Sequence, residues 1–162
     1  MIQPVFAIDP GNTESAYVVY EPAAHKVQSK GKVENEELVR IVSNANLHGF
    51  QVAIEMIACY GMPVGKEVFE TCLFIGRLIQ LCKDRGCEPV LVLRKSVKMH
   101  LCNSVRAKDG NVRQALIDKF EPTGGGKNPV VGIKSKPGPL YGFANDTWAA
   151  LGVALTFAAG AY

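Results

Sequence analysis

Two short apolar runs each end in an acid: Pro4-Val-Phe-Ala-Ile8 leads to Asp9, and Val52-Ala-Ile54 leads to Glu55. Neither run is long enough for a helix and both are rich in β-formers, so each predicts a strand. Runs without polar alternation belong to strands covered on both faces, usually by crossover helices. The pattern therefore calls for a sandwiched sheet with two carboxylates at its rim. Like-charged carboxylates held together raise one another's pKa, and a bound divalent cation reverses that logic. A hard-ion site is the economical reading, with Asp146, at the head of a long apolar segment, as a third ligand.

At 162 residues, 48% hydrophobic and 20% charged, the chain fits one globular domain, residues 1–162, with a sizeable core. Met-Ile-Gln-Pro has neither the basic nor the apolar region of a secretion signal, and the apolar tail from Trp148 to Ala159 is shorter than the roughly 20 residues of a membrane span. The expectation is a cytoplasmic protein, and the compact single-domain size would suit either a bacterial protein or a bacteriophage protein acting in its host's cytoplasm. Cys59, Cys72, Cys82, Cys87 and Cys102 form an odd set with no C-x-x-C pair and read as reduced thiols, three of them in the core. His100-Leu-Cys102 has no second ligand pair at a zinc spacing.

The net charge of +3 hides an asymmetry. Met1 to Cys82 holds six Lys/Arg against nine Asp/Glu, Lys83 to Lys136 twelve against five, and only Asp146 follows. A basic block beside an acidic cluster suits a polyanion whose phosphates are gripped by Lys and Arg. On the charge counts alone, a solvated surface of mixed sign is the simpler account.

After Asp9 a Pro-Gly-Asn turn leads into Ser15–Tyr20 and then Lys26–Val33, which read as the second and third strands of an antiparallel meander. Apolar spacing predicts helices over Glu34–His48, Glu67–Lys83 and Asn111–Phe120, with a further strand at Glu88–Leu93. Thr123–Gly142 holds six glycines, three prolines and three lysines and reads as a mobile loop. The segment from Asp146 is apolar nearly all round and should be a buried helix. Taken singly, each acid has an ordinary explanation: Asp9 in a Pro-Gly turn, Glu55 at a strand end, Asp146 as a helix cap.

Together these residues resemble a family. Ala7-Ile-Asp-Pro-Gly11 is similar to the first motif of the RuvC-like Holliday junction resolvases, members of the ribonuclease H-like superfamily, and Ala53-Ile-Glu55 to their second. Arg106-Ala-Lys108 with Val112-Arg-Gln resembles their basic segment, and Ala149–Thr156 their last helix. The resemblance spans most of the chain in order. It implies an α/β, ribonuclease H-like fold: a mixed five-stranded sheet, antiparallel meander plus parallel strands, flanked by helices. It also implies a homodimer that recognises branched DNA, four-way junctions above all, and makes paired nicks with two Mg²⁺ ions, for which Mn²⁺ can substitute. Asp9, Glu55 and Asp146 would be the catalytic metal ligands. The family carries a second acid or a His–acid pair three residues apart on the last helix, and here the later position is Ala149. Asn145 or water would then have to replace the fourth ligand.

Lys108 and Arg113 are the leading phosphate-binding candidates, with Arg106 in the same segment; ordinary surface charge explains them equally well. Tyr60, in the loop after Glu55, could stack on an opened junction or anchor its own loop. Lys66 could reach phosphate from the start of the next helix, against that end's dipole. Two other functions compete. Asp9-Pro-Gly-Asn-Thr13 also resembles the phosphate loop of the actin and sugar kinase superfamily, whose nucleotide site needs two such lobes where this length supplies one. Ala149 also leaves open a branched-DNA-binding protein without activity. Gly124-Gly-Gly-Lys127 is followed by Asn-Pro and is no P-loop.

Overall fold

The computed structural model describes residues 2–162. Three strands come first: β1 (Val5–Asp9), β2 (Glu14–Glu21) and β3 (Lys26–Glu34). Then follow α1 (Asn35–Asn44), β4 (Gln51–Met56), α2 (Lys66–Asp84), β5 (Val90–Leu93), α3 (Arg94–Cys102) and α4 (Asp109–Ile117). A two-stranded hairpin, β6 (Gly132–Ile133) and β7 (Lys136–Pro137), precedes the last helix, α5 (Asp146–Ala158). The main sheet runs β3-β2-β1-β4-β5. The meander strands pair antiparallel, while β1–β4 and β4–β5 are parallel. This is the mixed five-stranded sheet that the sequence calls for.

Both acid-terminated strands are central, and alternation along them divides the core in two. Val5 and Ala7 of β1 and Ala53 of β4 pack with Leu151, Ala154 and Leu116 on one face. Phe6 and Ile8, with Val52 and Ile54, pack with Leu38, Val42, Ile75 and Leu78 of α1 and α2 on the other. Each Val, Leu, Ile or Phe among them contributes roughly 1.5–3 kcal/mol by leaving water, and each Ala less. Helix α5 is buried from Thr147 to Phe157 except at Ala149, because β1 and β2 cover one side of it and α3 and α4 another. Gly152 makes the α3 approach possible: a Cβ there would lie 2.9 Å from Val97 Cγ1. None of the helices formed by the described residues is long and apolar enough to cross a membrane.

Three local expectations are corrected. Arg94–Cys102 is a helix that the sequence reading misses, since Val97, Leu101 and Cys102 keep helical spacing for little more than one turn and Met99 falls off that face. The helix expected over 34–48 stops at Asn44, and a single 3₁₀ turn, Leu47–Gly49, completes the connection to β4. The segment expected to be a mobile loop, 123–142, is instead folded into the core. Val130 and Leu140 are buried, and the Leu140 amide donates to the Val130 carbonyl at 2.9 Å. Its glycines serve close packing: a Cβ on Gly124 would lie 2.6 Å from the Pro129 carbonyl oxygen and 2.8 Å from Gly132 Cα. Among the cysteines only Cys82 is fully buried, and burial pushes its thiol up to about 12, which keeps it inert. Cys72 and Cys102 are half-buried.

Candidate metal centre

The parallel pairing of β1 with β4 sets Ile8 opposite Ile54, so Asp9 and Glu55 come next in line at one end of the sheet. By alternation both side chains share the face of Ala7 and Ala53, which is the α5 face. Helix α5 starts at that end, and Asp146 is its first residue. The three acids thus line one cleft of about 360 Å³ together with Arg94, Asp109, Val112, Asn145, Trp148 and Ala149.

Asp146 is no side-chain cap; the flanking Asn145 holds φ 47°, outside the ordinary regions for a residue with a side chain, and the turn is closed by Thr147. The Ala144 amide donates to Thr147 Oγ1 at 2.9 Å. Asp146 in the first turn complements the helix dipole, and Lys32 of β3 reaches its Oδ2 at 2.8 Å. Arg94, the first residue past β5, lies with Nη1 3.6 Å from Glu55 Oε1, and its Nη2 pairs with Asp109 of α4. Two cations of the chain itself therefore sit against the acids. As the side chains stand, no three His, Cys, Asp or Glu residues among those described converge on a single ion position.

The electrostatics mark the centre as short of positive charge nonetheless. Asp9 is pushed up to about 8, first by burial and then by the charges of Glu55 and Asp146, which Arg94 only partly offsets. Glu55 is raised by burial, with Arg94 opposing. Its side chain is 12% exposed, and Oε2 is buried without a hydrogen-bond partner. Asp9, within hydrogen-bonding reach of Glu55, can serve it only by carrying a proton. An all-oxygen set with an orphaned carboxylate oxygen fits a hard divalent cation, which would release that proton and complete the unsatisfied atom.

The other sequence candidates fall at different distances from the cleft. Arg113 does not line the cleft but lies over the ring of Trp148, which does, 4.9 Å from its centroid. Tyr60 is exposed and lines a smaller adjoining cavity with Asp9, Glu55 and Arg94; it is no buried anchor, and Lys95 Nζ stands 5.6 Å from its ring centroid. Lys108 precedes α4, where its amide donates to Asn111 Oδ1 at 2.9 Å. Arg106 is exposed in the turn before it. Neither lines the cleft, nor does Lys66, which pairs with Glu70 at 3.4 Å on the α2 surface. Sequence reasoning overlooks Arg94, Asp109, Lys32 and Trp148. Arg94 has a recoverable signal, since it directly follows the third parallel strand at the same rim as the acids.

No family model matches the sequence, and no curated protein matches it either. Solved structures do. The chain is similar to a structure of Thermus thermophilus RuvC, at 19% identity and a TM-score of 0.63, covering 94% of this chain and 92% of that one. It is similar also to T. thermophilus RuvC in complex with Holliday junction substrate, at 18% identity and a TM-score of 0.64, covering 95% and 92%. The architecture is the RuvC-like form of the ribonuclease H-like fold.

Proposed function

We propose that this chain is a divalent-metal-dependent endonuclease that resolves four-way DNA junctions or related branches by paired nicks. The observation that carries the reading is that Asp9, Glu55 and Asp146, from three separate elements, line one cleft of a RuvC-like fold. That a structure of the same fold holds a Holliday junction supports branched DNA as the substrate class.

Asp9, Glu55 and Asp146 would hold the ions, two Mg²⁺ or Mn²⁺. Such ions activate water and stabilise the departing oxygen of a phosphodiester. Asp109 takes the place of the acid missing at Ala149, approaching from α4 rather than from the last helix. Arg94 holds the Glu55 and Asp109 carboxylates in register, and Arg113, Lys108 and Arg106 grip flanking phosphates. Tyr60 stacks on a base at the opened branch point; Lys66 is a peripheral contact. The whole chain acts as one domain. We assign self-association to α2, where Phe69 and Leu73, one turn apart, are 61% and 76% exposed.

A second reading, a branch-binding protein without activity, draws on the pairing of Asp146 with Lys32 and of Glu55 with Arg94. One experiment separates the two. Purified protein is incubated with a labelled four-way junction and with linear duplex, in Mg²⁺, in Mn²⁺ and in EDTA. Symmetric nicks on the junction alone, and only with metal, establish the resolvase. Tight junction binding without nicks in any metal establishes the binding protein.

A further inference from the structure

The segment between α4 and α5 holds no acid from Pro122 to Asn145, yet it carries Lys127, Lys134 and Lys136. All three are exposed, and none joins an ion pair among the described residues, whereas Lys32, Lys66 and Lys83 each pair with an acid. The segment is built to hold them. Gly125 donates its amide to the Lys136 carbonyl at 2.8 Å, and Gly124 donates to Pro129 at 2.7 Å. A Cβ on Gly125 would lie 3.2 Å from Lys136 Cβ, and one on Gly126 2.8 Å from Ile133 Cγ2. The Gly125–Gly126 backbone therefore lies directly on β6 and β7, and the three lysines project from one small lobe.

A row of cations and aromatic rings joins that lobe to the cleft. Lys30 Nζ stands 4.9 Å from the Phe143 ring centroid, Phe143 lies 5.2 Å from Trp148, and Arg113 covers Trp148, which lines the cleft. Continuity of this kind favours a polyanion that has one phosphate at the acids and runs outward along the row. An acidic protein would need no such connection. We propose that the 123–143 lobe is a preformed clamp for the phosphate backbone of one DNA arm, leading away from the metal centre. This rests on the nuclease reading and extends it by a second contact surface remote from the chemistry.

The test is the salt dependence of binding to a fluorescent four-way junction, measured by anisotropy in Ca²⁺ or EDTA so that no strand is cut. The variant combines Lys127→Ala, Lys134→Ala and Lys136→Ala; a companion replaces the same three residues by Arg. At about 0.9 per phosphate neutralised, the slope of log K against log salt should fall in magnitude by about 2 to 3 in the Ala variant and return in the Arg variant. An unchanged slope, with wild-type protein binding normally, overturns the clamp and leaves the nuclease reading standing. Weakened binding that Arg does not restore also overturns it, since the cause would then be structural. Failure of wild-type protein to bind DNA of any shape overturns both.

Discussion

Different kinds of helical layer cover the two faces of the sheet. On one, α1 and α2 turn Leu38, Val42, Ile75, Leu78 and Cys82 inward and leave their outer faces in water, as ordinary amphipathic helices do. On the other, α5 is buried along nearly its whole length beneath α3, α4 and the lysine-bearing lobe. The first layer supplies no side chain to the acidic cleft; the second supplies Arg94, Asp109, Asn145, Asp146 and Trp148. A helix fixed on all sides is the more rigid mount for a metal ligand, and rigidity is what an ion site with fixed geometry requires. The solvent-facing layer leaves Phe69 and Leu73 exposed, the pair proposed for self-association.

If the division is real, removing an acid should destroy chemistry without disturbing substrate binding. Asp9→Asn and Glu55→Gln are each expected to lower cleavage of a four-way junction about 10³-fold or more, with junction affinity in EDTA kept within a few-fold. Wild-type cleavage in either variant would break the assignment of the cleft.

A matched pair of cavities compares the layers directly. Leu78 on α2 and Leu151 on α5 are both fully buried, so Leu78→Ala and Leu151→Ala should each cost about 2–5 kcal/mol in urea unfolding. Only Leu151→Ala, which loosens the helix bearing Asp146, is expected also to weaken Mn²⁺ binding by calorimetry. Equal effects on metal affinity would show that the two layers do not differ as mounts.

Titration sharpens the contrast further, because the pH-sensitive group belongs to the cleft. Asp9 has its carboxyl raised from 3.8 to about 8, so the folded protein binds the proton more tightly than the unfolded chain. In EDTA that stabilisation is complete below about 3.8 and declines as pH rises towards about 8, by at most about 1.4 kcal/mol per pH unit. Urea midpoints measured across this range should fall in the wild type and flatten in Asp9→Asn. Metal affinity should run the opposite way, rising with pH as the ion displaces the Asp9 proton. A flat wild-type profile would mean that Asp9 is already ionised in the folded state.

Much of this was legible in the sequence because it is written in periodicity. Apolar runs ending at Asp9 and Glu55 identify central strands, and the unbroken apolar stretch after Asp146 identifies a helix with no exposed face. What periodicity cannot carry was missed. Helix α3 keeps helical apolar spacing for little more than one turn, too short a run to announce itself, and Arg94 at its start is hidden with it. The 123–143 lobe is held by backbone hydrogen bonds and glycine-to-backbone contacts, which leave a composition indistinguishable from that of a mobile loop. Lys32 reaches the site through a partner far away in sequence, Asp146, and Trp148, which lines the cleft two residues after Asp146, reads in the sequence as one more apolar position of the buried helix.

The finest distinction within the buried layer concerns the ligand that Ala149 cannot supply. Asp109 lies in the same cleft as the three acids, on a different helix, and its charge acts on Glu55 to raise it. Its side chain is well exposed, with Arg94 as its ion-pair partner, so its contribution should be the smallest of the four. Asp109→Asn keeps the shape and removes the charge; it is expected to weaken Mn²⁺ binding about tenfold, in line with the loss of one supporting contact at a metal site. An indirect effect has the same sign. Freed from Asp109, Arg94 would neutralise Glu55 more completely and compete with the ion, so Arg94→Gln on its own should tighten Mn²⁺ binding. If Asp109 is a ligand, the double variant should still bind more weakly than Arg94→Gln alone. If Asp109 acts only by holding Arg94 away from Glu55, the second substitution should leave the affinity of Arg94→Gln unchanged.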